Sequence, residues 1–134
     1  MDNLVDMLIA HEGIELKPYL CPAGRLTIGV GRNIQDLGIT MEEAIYLLRN
    51  DLARVESELY GRFTWFAFLS SNRKNALIDM CFNLGITRFL TFKRMIEAFK
   101  EGNYSKAANE MLNSKWADQV GDRAVDLSDM ILRG

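Results

Sequence analysis

The sequence predicts a mainly helical α+β protein, and three observations carry that prediction. Apolar residues recur at helical spacing near the N-terminus and through most of the chain after residue 40. Strand-like patterning with turn punctuation is confined to residues 16–30. With 134 residues, 49% of them apolar and only 2 Pro, the chain can bury a core and fits one domain or two small lobes, which excludes a disordered or low-complexity polypeptide.

Each element has its own local signal. Leu4, Val5, Leu8 and Ile9 form one helical stripe behind a possible Asp2 cap, and Gly13 supplies the stop, so a helix should end near Glu12. Leu16–Leu20 and Leu26–Val30 flank the turn-prone Cys21-Pro-Ala-Gly24 and read as paired strands. Thr40-Met-Glu-Glu43 has capping-box spacing, and Ala44, Leu47, Leu48, Leu52, Val55 and Leu59 extend one apolar face for about five turns. The apolar, aromatic stretch Thr64–Leu69 follows. Residues 72–84 are apolar nearly all round, as expected of a helix buried among helices, with Cys81 a small hydrophobe within it and the seven Met residues as core filling. Thr91–Lys100, Ser105–Leu112 and Asp122–Leu132 complete the helices, separated by Gly102 and Gly121.

Charge and composition narrow the function classes. Sixteen Lys and Arg against 18 Asp and Glu give a net charge of −2, so no general basic field argues for nucleic acid. The halves differ: residues 1–67 hold six basic and ten acidic side chains, residues 68–134 ten and eight, making the second half the more anion-tolerant. No apolar run reaches the roughly 18–20 residues of a bilayer span, and Asp2 and Asp6 stand where a signal peptide would be basic. Two distant cysteines, Cys21 and Cys81, and the single His11 make neither a disulfide scaffold nor a metal ligand set. Arg88, Lys93 and Arg94 read as a solvated face.

One carboxylate stands out by position. Glu12 falls in the last turn of the first helix, where the negative end of the helix dipole favours a neutral carboxyl, as suits a general acid. A solvated surface glutamate at a frayed helix end fits the same spacing.

The stretch Glu12-Gly-Ile-Glu-Leu-Lys-Pro-Tyr19, then Cys21, Gly24 and Leu26-Thr-Ile-Gly-Val-Gly31, resembles the phage-type lysozymes, the muramidases of glycoside hydrolase family 24. The resemblance continues through Ile39–Ala44, Asp51-Leu52, Ala76–Ile78, Met80–Gly85 and Ser114-Lys-Trp116 to Arg123-Ala124, covering nearly the whole chain in order. It implies a lysozyme-like fold: a small sheet lobe over 13–39, a linking helix over 40–60, and a helical lobe of 61–134 with 1–12, the sugar chain lying between lobes.

In that family a helix-end Glu, an Asp nine residues on and a Thr six residues further form the catalytic set. The matching residues here are Glu12, Cys21 and Thr27, a thiol replacing the second carboxylate as in some other phage lysozymes. An inverting glycosidase protonates the leaving oxygen with one acid while a second group activates water. Glu12 fits the first task. Cys21, with an ordinary thiol pKa of about 8.5, would hold a water, deprotonate it as the thiolate if nearby cations lower that value, or attack carbon directly, the least favoured option. Thr27 could bond the water, or be a plain β-branched strand residue. The resemblance further implies that Arg123 supports Glu12, and that Asn83, Trp116 and Gln119 line the substrate site, although Trp116 reads equally as a core residue. Asn83 stands where a longer amide is common, and Arg32 where His is frequent.

The implied function is hydrolysis of the β-1,4 bond between N-acetylmuramic acid and N-acetylglucosamine in bacterial peptidoglycan, with no cofactor and no metal. A monomer is expected, with no membrane insertion and no nucleic-acid partner. It would be made in the host cytoplasm and reach the wall through a holin lesion to lyse the host, a tail-associated role in entry being the other setting. Two rivals stay open: a single-Glu lytic transglycosylase, and a catalytically dead wall-binding protein.

Overall fold

The computed structural model describes residues 3–134, and its contacts divide them between Leu47 and Leu48 into two compact units. The suggested Asp2 cap lies outside the described residues.

In the first unit, helix α1 (Asn3–Glu12) closes where expected: the Gly13 amide donates to the Ile9 carbonyl at 2.8 Å, with Gly13 at φ +76°. Strands β1 (Glu15–Leu20), β2 (Leu26–Gly29) and β3 (Arg32–Asn33) form an antiparallel sheet in that order. Tyr19 pairs with Thr27 and Leu20 with Leu26, while the register shifts between Glu15 and Tyr19. Pro18 lies in that irregular stretch, on an edge strand, the place in a sheet where proline is tolerated. The loop after β1 closes on itself, the Cys21 amide donating to the Arg25 carbonyl at 3.0 Å and the Gly24 amide to the Cys21 carbonyl at 2.8 Å. Helix α2 (Ile34–Leu37) is capped by Asn33, whose side chain accepts from the Asp36 amide at 3.1 Å.

The predicted capping box opens helix α3 (Met41–Arg62): the Glu43 amide donates to Thr40 Oγ1 at 3.1 Å and the Thr40 amide to Glu43 Oε1 at 2.9 Å. The division between units falls within this helix.

Leu4, Val5 and Leu8 of α1 are exposed, as are Leu47 and Leu48 of α3. Thr27 is the one buried residue of this unit among those described.

The second unit contains the core. After the 3₁₀ turn Thr64–Phe68 come α4 (Ser71–Leu84), α5 (Ile86–Phe89), α6 (Lys93–Lys100), α7 (Tyr104–Leu112), α8 (Lys115–Val120) and α9 (Asp122–Arg133). As its all-round apolar pattern predicts, α4 buries Ala76, Leu77, Met80, Cys81 and Leu84, and it packs on α9, which also packs on α7. Burial pushes the Cys81 thiol up to about 11. Phe63, Trp65 and Phe99 stack in series, and Arg73 lies 3.6 Å over the Tyr104 ring while its Nε donates to the Ile131 carbonyl at 2.7 Å, tying α4 to the end of α9. Methionine is only partly core filling. Met80, Met95 and Met111 are buried, whereas Met7 and Met41 lie on the first unit's exposed helices; Met1 lies outside the described residues.

Candidate active site

Glu12, Cys21 and Thr27 all belong to the first unit. The exposed Glu12 is the last residue of α1, and its carboxylate lies against the turn between β2 and β3. A Cβ placed on Gly31 would stand 2.8 Å from Glu12 Oε2 and 3.2 Å from Cδ. Gly31 is also at φ +65°, a backbone conformation that favours glycine, and its missing side chain leaves room for the Glu12 carboxyl. The Thr-Ile-Gly-Val-Gly31 motif was legible as a family signature, but the approach of Glu12 to its last glycine was not.

Cys21 opens the tight turn between β1 and β2, and its partly exposed thiol is free. The thiol pKa is held below its ordinary value, first by the Arg25 backbone amide, with burial opposing, then by the Ala23 amide, the Thr27 hydroxyl and its own amide. Nearby cations were the condition under which the sequence allowed a lowered value; hydrogen-bond donors of the turn do the lowering instead. Thr27, 3% exposed, donates its hydroxyl hydrogen to the Arg25 carbonyl at 2.9 Å. The turn is braced from α2, where Gln35 Oε1 accepts from the Leu26 amide at 3.1 Å and Asp36 lies 3.7 Å from Arg25 Nε.

Arg32 makes a two-point pair with Glu43, Nη1 to Oε1 at 3.1 Å and Nη2 to Oε2 at 2.9 Å, and Nη1 also donates to the Gly38 carbonyl at 3.2 Å. The pair joins β3 to the capping box of α3. The Thr40 amide bond, the Thr40 hydroxyl and Arg32 hold the Glu43 carboxyl below the usual range against an opposing desolvation.

The remaining predicted residues lie in the second unit. Trp116 is buried and its indole Nε1 donates to Asn83 Oδ1 at 2.8 Å, an arrangement that leaves no exposed ring for sugar stacking and instead fixes the exposed Asn83. Gln119 is exposed on α8, a helix whose short length hid it from periodicity. Within its unit Arg123 is engaged by Asp79, Nε to Oδ1 at 2.7 Å and Nη2 to the Asp79 carbonyl at 3.4 Å, a partner the sequence reading did not name. Arg123 and Asp79 share a 370 Å³ hollow with Leu48, Leu52 and Phe82. Arg88, Lys93 and Arg94 are exposed. No helix among the described residues is long and apolar enough to cross a membrane.

Residues 9–129 match the family model of the phage lysozymes. An endolysin of Acyrthosiphon pisum secondary endosymbiont phage 1 is 35% identical over 128 residues, covering 92% of this chain and 84% of its own. Probable T4-type lysozyme 1 of Dictyostelium discoideum is 28% identical across the whole of this chain and 96% of its own. The pre-baseplate central spike protein Gp5 of Enterobacteria phage T4 is 28% identical over 98% of this chain but 28% of its own length. Together with the mainly helical α+β fold, these matches define a glycosidase of the lysozyme class. The chain belongs to the phage lysozyme family.

Proposed function

We propose that the protein hydrolyses the β-1,4 bond between N-acetylmuramic acid and N-acetylglucosamine in bacterial peptidoglycan, in the service of host lysis. The observation that carries the reading is the one-unit grouping of a helix-end carboxyl against Gly31 with a thiol whose ionised form is stabilised by its own turn. Glu12 protonates the departing glycosidic oxygen. Water adds to the anomeric carbon from the opposite face and loses its proton to the Cys21 thiolate. Exchange with solvent then returns the proton to Glu12 and removes it from Cys21.

Asn83 and Gln119 contact the glycan, with Trp116 fixing Asn83 from below. Arg123 as the support of Glu12 rests on the family resemblance. The pH–rate profile of Arg123→Ala beside Arg123→Lys tests that role: a changed profile restored by Lys supports it, and an unchanged one removes it.

The protein acts as a monomer without cofactor. It is made in the host cytoplasm and passes a holin-opened membrane to the wall, a route supported by the endolysin relative. The similarity to a baseplate spike protein favours a second setting, wall penetration during entry.

Lysis of outer-membrane-stripped cells and reducing-end analysis of purified peptidoglycan digests test the reaction. Free muramic acid reducing ends are expected. Anhydro-muramic ends would identify a single-Glu transglycosylase, a reading favoured by the missing second carboxylate. Binding without any cleavage would identify an inactive wall binder.

A further inference from the structure

We propose that Gln35 is a positioning residue for Cys21: by accepting from the Leu26 amide it fixes the Arg25–Leu26 peptide, whose carbonyl holds both the Cys21 amide and the Thr27 hydroxyl. Its catalytic meaning rests on the proposed role of Cys21 in the reaction.

The geometry starts at the end of the hairpin. Leu20 and Leu26 face each other one step from the bond between the Cys21 amide and the Arg25 carbonyl, so the alternation of an antiparallel ladder turns the Leu26 N–H away from β1. On that side β3 stops at Asn33, opposite Thr27, and no strand residue stands opposite Leu26. The Gln35 side chain supplies the missing acceptor, its Oε1 lying 3.1 Å from the Leu26 nitrogen. The Leu26 N–H and the Arg25 carbonyl are the two ends of one planar peptide, so a grip on the first fixes the direction of the second. That carbonyl accepts from the Cys21 amide at 3.0 Å and from the Thr27 hydroxyl at 2.9 Å. One side-chain oxygen therefore orients the acceptor that Cys21 and Thr27 share.

Gln35 is itself held in place, because α2 is pinned at both ends. Asn33 accepts from the Asp36 amide at 3.1 Å through Oδ1 and donates through Nδ2 to Asp36 Oδ2 at 2.9 Å. After the helix, the Gly38 amide donates to the Ile34 carbonyl at 2.9 Å, and the Gly38 carbonyl accepts from Arg32 Nη1 at 3.2 Å. The second link from α2 to the turn, Asp36 to Arg25 Nε at 3.7 Å, joins side chains that are 51% and 50% exposed and contributes little. Gln35 is exposed as well, so losing its bond costs the fold little. Water would replace the lost acceptor, but water is not attached to α2 and leaves the peptide free to turn.

The test compares, in the whole protein, Gln35→Met, which keeps the side-chain length and loses the acceptor, with Gln35→Glu, which keeps an acceptor. Without substrate, amide hydrogen exchange in Gln35→Met should quicken about tenfold at Cys21 as well as at Leu26, with Leu59 and the thermal transition unmoved. On purified peptidoglycan the same variant should lose about tenfold in kcat at the parent KM. Gln35→Glu should restore both the exchange and the rate. Gln35→Ala gives the same reading should the methionine variant fail to fold. Parent-like exchange at Cys21 in Gln35→Met overturns the inference, whatever the reaction proves to be. Quickened exchange with the parent kcat overturns it as well, since Cys21 would then need no fixed position. The exchange arm contains no substrate, so failure of the contact is separate from failure of the role given to Cys21, which Cys21→Ala reports by itself.

Discussion

The two units are held together by different forces. Beyond Leu47 every helix contributes to a common apolar interior: Phe66, Leu77, Met80, Phe89, Phe99 and Ile131 are all fully or almost fully buried. Before it, order comes from a self-closed turn, a capping box, an Asn cap and the two-point Arg32–Glu43 pair. The residues proposed to handle the proton transfers all lie in the second kind of structure. A turn whose amides favour one thiolate, or a glycine that leaves room for a carboxyl, is specified by backbone geometry, and backbone geometry needs little core. The difference predicts that function and stability separate under mutation.

The largest separation is expected at Glu12. Glu12→Gln should cost about 10² to 10⁴ in turnover, the ordinary value of a positioned acid, with the thermal transition unmoved. A comparable fall in melting temperature would mean that this carboxyl is structural. Phe99→Ala is the reciprocal experiment: removing a buried, stacked ring should destabilise the fold by about 3–5 kcal/mol, measurable by denaturant titration. Under conditions where that variant remains folded, the Cys21 alkylation midpoint should equal the parent's.

Thr40→Ala removes one half of the capping box and should cost about 1 kcal/mol, read most sharply as faster amide exchange at the start of α3 with little change in α4. The smallest effect concerns pH. Because the Glu43 carboxyl is held below its unfolded value, its contribution is complete above the ordinary carboxylate range and is lost as pH falls through its folded pKa. Acid titration should therefore loosen the start of α3, and Glu43→Gln should remove that transition.

The same contrast explains what was legible in the sequence. Long elements announced themselves through periodicity and caps: α1 to Glu12, the β1–β2 hairpin, the Thr40–Glu43 box and the all-round apolar α4. Helices α2, α5 and α8 and strand β3, of six residues or fewer, are too short for any period to show. The candidate site divides likewise. Glu12, Cys21 and Thr27 were readable from spacing within a family resemblance. The amide origin of the Cys21 shift, the Glu12–Gly31 approach and the Arg123–Asp79 pair were not, because each depends on where two non-neighbouring groups come to rest. Trp116 carried two readings in the sequence, and burial with the bond to Asn83 favours the packed one.

In the proposed reaction the thiol of Cys21 does the work of a second carboxylate. The rates at which Cys21→Ala, Cys21→Ser and Cys21→Asp release reducing ends from purified peptidoglycan across pH decide whether it does. Ala and Ser should lose most activity, Asp should keep or regain it with the optimum moved to lower pH, and the parent rate should rise with pH as the Cys21 thiol ionises. Cleavage by Cys21→Ala at the parent rate would contradict it, leaving Glu12 to act alone.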